Sequence, residues 1–363
     1  PFKGIYTLLA VMMEVCRLPL WIILYTPRGG RPRREWTMRQ ALGVRFLRSL
    51  LYHLSNVETK QTLSLHPGPE GNRFAIIEPG NQSLYVGPCK DEKIKPQKIG
   101  GTWYPSRYES SDTKAESEDV LLHVHGGAFI VGDGREKDAG YLCRTLMKRV
   151  GFQYAFAPQY RLASNPGCRF PAQVQDTITA YSYLINTLHI PPHRVTVSGD
   201  SAGATLVLAL LRYIQEHGEE VGLPPPACAF LWSPWVNIET SRDPTNILRS
   251  PHYNTDYLTS GFGGWGARAF AGGLDATQPY ISPVLHPFAT PVPMFVQTGG
   301  AEVLCDDNIE VAKKLGSMKG NVIEIHVEPY APHDIALVGN VLGFSKEFDG
   351  CAEKAREFFV RNR

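Results

Sequence analysis

The stretch that most constrains this chain is seven residues long. "SGDSAGA", Ser198 to Ala204, stands between "HRVTV", His193 to Val197, which is short and β-branched, and "TLVLALLRYI", Thr205 to Ile214, which is apolar at helical spacing. A strand must become a helix within a few residues, and the turn carries Gly199 and Gly203 on either side of one hydroxyl, Ser201. Glycines at both flanks let strand and helix pass close to one another, and the side chain between them is thrust out above the sheet at a helix N-terminus. There the N–H of Ala202 points at any negative charge that develops beside Ser201. The G-x-S-x-G pattern in this setting reads as a serine nucleophile held on a tight turn.

Such a serine needs three supports, and each can be sought separately. The first is a second source of N–H donors for an oxyanion. "HVHGGAF", His123 to Phe129, closes an earlier strand and offers backbone N–H groups from Gly126, Gly127 or Ala128; Gly126 and Gly127 join Ala202 as the expected oxyanion hole. The H-x-H spacing has no carboxylate or cysteine near it in sequence, so no metal site is expected and His125 is read as orienting its loop. The second support is a base late in the chain. "EPYAPHDI" follows the apolar run "NVIEIHV" and places His333 in a Pro-flanked loop. His326 sits inside that strand, and His286, His252, His193 and His189 lie where the topology does not favour a base. The third is a carboxylate to orient the histidine. "QTGGAEVLCDDN" offers Glu302, Asp306 and Asp307. Acids favour helix N-termini, and Asp306 and Asp307 stand where a helix begins, near Asn308. Glu302 stands just past the strand end and is the expected third member, with Asp306 as the alternative.

Around these motifs, apolar runs alternate with helical patterns. "VLLHVHGG", "FQYAFAP", "RVTVSG", "ACAFLWSP", "PMFVQTGG" and "NVIEIHVEP" read as strands; "EKDAGYLCRTLMKRVG", "PAQVQDTITAYSYLINTL", "ATLVLALLRYIQEHG", "NIEVAKKLGSM" and "CAEKAREFFVRN" read as helices. That alternation predicts an α/β fold, a mostly parallel sheet covered by helices on both faces. Upstream, Asn56 to Gly101 is rich in Gly, Pro and turn residues, with short strands expected at "RFAIIEP" and "LYVGP". A polar connection is expected over 107–119. One interval breaks the alternation: 237–273 is long, Gly-rich and aromatic, and is expected to be an insertion with helices of its own, a cap over the site. The catalytic domain is expected over 61–363.

Residues 1–60 form an arm of different character. Gly4 to Thr26 is apolar over nearly a bilayer thickness, interrupted by Glu14, Arg17 and Pro19, and is followed by Arg28, Arg31, Arg33, Arg34 and Arg39. Thr37 to Leu54 is an amphipathic helix with a basic back. The expectation is membrane association through 4–26 with the basic flank and catalytic domain on the cytosolic side, or else an arm packed on the body. Seven scattered cysteines without a C-x-x-C pair argue against a disulfide framework or zinc cluster, and a net charge of +2 gives no case for nucleic acid. A lone sequon at Asn81 is a common chance match.

With these residues in view, the chain resembles the hormone-sensitive-lipase-like branch of the α/β-hydrolases. "HGGAF" is similar to that branch's H-G-G-G oxyanion loop, with Ala128 at the third glycine; "GDSAG" is similar to its elbow; "AFAPQYRLA", "FPAQVQD", "LWSPWVNI", "NTDYL" and "YISPVL" follow in the branch's order. "TPRGGRPRREWTMRQALGVRFLR" and "GGTWYP" resemble a fungal subgroup whose members often serve secondary metabolism. "EVLCD" departs from the branch's D-P-L-x-D, placing Glu302 where Asp is usual. The resemblance implies an α/β-hydrolase fold, a cap built from the N-terminal arm and the 237–273 insertion, no metal or organic cofactor, and cleavage of a small apolar ester through an acyl-enzyme. The same triad also serves acyl transfer, lactonisation or condensation. A hydrolase-like binding protein, which would have lost a triad member, is disfavoured because Ser201, Glu302 and His333 are all present.

Overall fold

The computed structural model describes residues 2–109 and 117–363; residues 110–116, within the expected polar connection, lie outside the described residues. The strands are β1 (Phe74–Ile77), β2 (Ile99–Tyr104), β3 (Val120–Val124), β4 (Tyr154–Gln159), β5 (Val195–Asp200), β6 (Cys228–Trp232), β7 (Met294–Gly299) and β8 (Ile323–Glu328). They form one sheet in the order β1-β2-β4-β3-β5-β6-β7-β8. β1–β2 and β2–β4 pair antiparallel, and every later pair is parallel. The parallel strands at the centre, β3, β5 and β6, are buried at every position, which is why they read as unbroken apolar runs rather than alternating ones.

The helices are α1 (Phe2–Tyr25), α2 (Met38–Val57), α3 (Glu136–Val150), α4 (Ala172–Ser182), α5 (Ala202–Val221), α6 (Pro244–Arg249), α7 (Ser260–Ala271), α8 (Cys305–Gly316), α9 (Ile335–Leu342) and α10 (Ser345–Asn362). α3 and α10 pack together on one face of the sheet, and α4 packs with α5 on the other. Glycine ends α3 at Gly151 (φ 110°) and α5 at Gly222 (φ 69°), the left-handed conformation a helix C-terminus favours. α2 opens on a reciprocal cap between Thr37 and Gln40, and packs against α7 of the insertion and against α9.

Three local readings are corrected. "LYVGP" is no strand: its backbone is taken up by a side chain, with the Val86 N–H donating to Tyr213 Oη and that hydroxyl donating to the Leu84 carbonyl, so short helical turns form at Gln82–Leu84 and Gly87–Cys89. β2 was not expected, because Gly100 and Gly101 depress strand propensity. Both are needed, since a Cβ at Gly100 would lie 2.2 Å from Phe74 Cζ and one at Gly101 2.0 Å from Phe156 Cζ. The arginine cluster is not all free basic flank. Arg31 donates to the carbonyls of Tyr25, Thr26 and Trp36, Arg33 to that of Gly300, and Arg39 to that of Asn340, so three of the five tie the arm down.

The turn from β5 to α5 sets the closest backbone approach in the site region: a Cβ on Gly203 would lie 1.9 Å from the Val124 carbonyl oxygen. Gly203→Ala is expected to lower the urea midpoint by the equivalent of about 1–3 kcal/mol or more, because neither neighbour is a movable side chain. Gly350→Ala, in α10 with nothing within 4 Å of a new Cβ, should be neutral or slightly stabilising. Equal losses in the two variants would contradict this.

Candidate active site

Ser201 sits at φ 49°, ψ −117°, a conformation unusual for any residue but glycine. Its backbone holds that strain through fixed partners. Its N–H donates to the Trp232 carbonyl at 2.8 Å, and its carbonyl accepts from Trp235 N at 3.0 Å and Ala204 N at 3.2 Å. Gly199 is required as well as Gly203, since a Cβ on it would lie 2.5 Å from Gly203 carbonyl carbon.

The three residues expected to work together meet here. His333 Nε2 lies 2.9 Å from Ser201 Oγ. His333 Nδ1 faces Glu302 Oε2 at 3.4 Å, and neither of those two atoms has another hydrogen-bond partner among the described residues. The other carboxylate oxygen of Glu302 accepts from Thr298 Oγ1 and from Asn308 Nδ2, which fixes its rotamer. Glu302 is fully buried. Asp306 is exposed in the first turn of α8, and Asp307 accepts from Asn237 Nδ2; neither approaches the imidazole. Burial pulls the His333 pKa down, but the hydrogen bond and charge of Glu302, helped by Asp256 and Asp200, outweigh it and leave the pKa above the usual imidazole value.

Asp256, in the insertion, is a site residue that the sequence reading missed. Its Oδ1 accepts from His333 N (3.2 Å) and Tyr257 N (2.7 Å), and its Oδ2 from Val303 N (2.7 Å). One buried carboxyl thus joins the histidine loop, the Glu302 loop and the insertion. Burial raises its pKa. The only signal in the sequence is "NTDYL", in which nothing marks the Asp for a role.

Gly126 is a correction to the expected oxyanion hole. Its N–H is committed to Asp200 Oδ2 at 3.0 Å, so it has no proton to offer a ligand. Among the described residues the N–H groups of Gly127 and Ala128 donate to no acceptor. Both sit at positive φ, 91° and 52°, as does Phe129 at 63°. The neighbouring Ala202 opens α5, so its N–H is one of the orphan donors of a helix start. The donor set that the geometry offers is therefore Gly127, Ala128 and Ala202. Asp200 also meets His123 Nε2 at 3.1 Å. Although burial opposes it, the hydrogen bond from His123 keeps Asp200 below its ordinary pKa. Asp334 is the reverse case. Burial and then the Asp200 charge push its pKa well up, and its Oδ1 accepts from Leu337 N at 3.1 Å.

His125 does orient its loop: Nδ1 bonds the Gly126 carbonyl at 2.8 Å and the ring stacks on Tyr160. The one group of possible metal ligands found among the described residues is His326, Glu328 and Cys351, on β8 and α10. The His326–Glu328 contact and a thiol donating to Glu328 already account for that group. Above Ser201 lies a cavity of about 120 Å³ with apolar walls: Leu47 and Leu51 of α2, Leu258 and Phe262 of the insertion, and Leu337 and Val338 of α9.

Two outcomes follow from the carboxylates. Glu302→Gln should cut kcat on the order of ten-thousandfold with little change in KM, while Asp306→Asn should cost at most about 1 kcal/mol of stability and leave kcat nearly intact. In kcat/KM, activity should rise as His333 loses its proton. Because the carboxylates raise that pKa, the rising limb should sit above the ordinary imidazole value and move to lower pH in Asp256→Asn and in the residual activity of Glu302→Gln. Limbs that do not move, or turnover lost in Asp306→Asn instead, would reverse the assignment.

The geometry can be set beside known proteins. An acetyl-hydrolase of Streptomyces hygroscopicus is 29% identical over 267 residues, covering 73% of this chain and 78% of its own. An esterase of Acinetobacter venetianus is 24% identical over 289 residues, covering 74% and 81%. Both relatives are bacterial, so the resemblance to a fungal subgroup gains no support from them. A solved esterase of the bacterial hormone-sensitive lipase family shares the fold with a TM-score of 0.63 at 20% identity, over 90% of this chain and 99% of that one. The model of a family described as having the α/β hydrolase fold matches residues 121–337, from β3 through the histidine loop into α9. With the sheet order and the strand–turn–helix at Ser201 already established, the chain belongs to the α/β hydrolase fold family.

Proposed function

We propose that the protein is a serine carboxylesterase of the hormone-sensitive-lipase-like branch that cleaves short-chain esters with an apolar acyl group. The observation that carries this reading is the relay Ser201 Oγ–His333 Nε2 at 2.9 Å and His333 Nδ1–Glu302 Oε2 at 3.4 Å, opening into an apolar cavity. His333 accepts the proton of Ser201 as Oγ attacks the ester carbonyl, and Glu302 stabilises the imidazolium that forms. The carbonyl oxygen, now an anion, is met by the N–H groups of Gly127, Ala128 and Ala202. His333 then gives its proton to the leaving alkoxide. Water, activated by the same imidazole, attacks the acyl-enzyme, and the acid departs as Ser201 regains its proton. Each step needs only protein groups and water.

Cavity size sets the substrate range. With about 30 Å³ per water in the liquid, about 120 Å³ is well below the roughly 300–1,000 Å³ of sites for drug-sized ligands. It suits an acetyl to butyryl group. A longer chain must displace Leu47 and Leu51, or Leu337 and Val338. The names of the relatives, an acetyl-hydrolase and an esterase, support the same class. The arm and the 237–273 insertion act as the cap, since they supply four of these apolar walls.

Across p-nitrophenyl esters of rising chain length, kcat/KM should peak between acetate and butyrate and fall at least tenfold by decanoate. Ser201→Ala should lower kcat on the order of a millionfold. A flat or rising chain-length profile contradicts the pocket, and an active Ser201→Ala contradicts the mechanism.

A further inference from the structure

Lys3–Tyr25 of α1 is long and apolar enough to cross a membrane, yet it lies antiparallel along α2. Lys3 Nζ donates to the Val57 carbonyl (2.6 Å), Tyr6 Oη meets His53 Nδ1 (2.9 Å), Glu14 Oε1 meets His53 Nε2 (3.2 Å), and the Arg45 guanidinium covers Trp21. The buried positions of α1 are Ala10, Glu14, Trp21 and Tyr25, which share that one face. Most of the remainder is apolar and bare: Leu8, Leu9, Met12, Val15, Leu20 and Ile23 are 57% to 72% exposed, with Arg17 exposed at the edge of that arc beside Glu14. At about 100° per residue the exposed apolar positions sweep about 240° of the circumference.

That width decides the occupant. One docked helix covers a stripe of about 100°; an apolar solvent covers the whole arc. Phe46 and Leu50 continue the bare surface onto α2. Just past α1, Arg28 and Arg34 are exposed and make no ion pair among the described residues, which suits anionic headgroups. The orientation follows from the contacts. α2 is packed on α7 and α9, so α1 can cross a bilayer only by leaving α2, which would carry Glu14 into hydrocarbon without His53. We infer that the α1–α2 hairpin docks on an anionic lipid bilayer, lying in the plane of its surface without crossing it.

The docking claim stands on this surface alone. Its consequence for substrate rests on the esterase reading: Leu47 and Leu51 on the other face of α2 line the Ser201 cavity, so the lipid phase lies about one helix diameter, ~10 Å, from the site. Esters dissolved in the membrane are then the accessible substrates.

Cys16 reports on this surface, being exposed on the bare arc. The full chain, with half-buried Cys168 changed to Ser, is labelled at Cys16 with an environment-sensitive fluorophore. It is mixed with phosphatidylcholine vesicles with and without phosphatidylserine. The label should shift to the blue and the protein float with vesicles, at least tenfold more tightly when phosphatidylserine is present. Lipids spin-labelled near the headgroup should quench it more than lipids labelled near the chain end. Leu8→Glu/Val15→Glu/Ile23→Glu should abolish flotation while leaving hydrolysis of a water-soluble acetate ester in vesicle-free buffer unchanged. Stronger quenching from the chain end means a spanning helix, flotation of the triple variant means another surface, and a dimer in solution that buries the label means a protein partner; each overturns the inference. Docking without any hydrolysis would overturn the esterase reading instead.

Discussion

The site depends on one close approach, that of Gly203 to the carbonyl of Val124. It brings the end of β3 against the start of α5. The loop after β3, with Gly127 and Ala128, must then lie beside the turn that holds Ser201. Asp200, the residue before the serine, completes the join by accepting the Gly126 N–H. A bulkier residue at position 203 would push the Ser201 turn away from the Gly127 and Ala128 N–H groups. The strain at Ser201 is supported from the end of the next strand and the loop after it, through Trp232 and Trp235; an outlier held by that many fixed partners is the usual mark of a functional turn.

Around His333 the structure gathers four buried carboxyl groups, a costly arrangement unless each is satisfied. Glu302 is held by Thr298 and Asn308, Asp256 by four backbone N–H groups, and Asp200 by His123 and Gly126. Asp334 accepts from the Leu337 N–H, and burial with the Asp200 charge beside it pushes its pKa well up. Like charges in one low-dielectric region push their pKa values apart. The pattern favours charge on Asp200 and disfavours it on the neighbouring Asp334. The segment holding Asp256 is also tied to α2, because the Arg48 side chain donates to the backbone carbonyls of Tyr253 and Asp256. A shift of the arm therefore has a short path to the histidine loop.

The parallel core was legible because β3, β5 and β6 are covered on both faces and so are apolar without interruption. Ser201, Glu302 and His333 were legible for a different reason: each is fixed by its place at the end of a strand, and the order of strands in sequence is enough to bring them together. What was illegible depended on partners far away in sequence. Nothing near Gly126 reveals that its N–H is claimed by a carboxylate 74 positions later. Nothing in "NTDYL" reveals that Asp256 reaches the backbone of His333. β2 was hidden by two glycines whose reason is the rings of Phe74 and Phe156, and "LYVGP" looked like a strand because Tyr213 could not be seen beside it. The arginines after α1 looked like one basic patch, yet carbonyl groups of the chain itself occupy three of them.

The central claim is that Ser201 Oγ is the atom that becomes acylated. It is tested most directly by mixing the protein with a slowly hydrolysed short-chain ester or a fluorophosphonate, quenching in acid and mapping the modified peptide by mass spectrometry. The account predicts a single adduct of the acyl or phosphonyl mass on the peptide containing Ser201, formed more slowly when Glu302 is changed to Gln. An adduct on any other residue, or turnover of the ester with no adduct under conditions that trap acyl-enzymes, would contradict it.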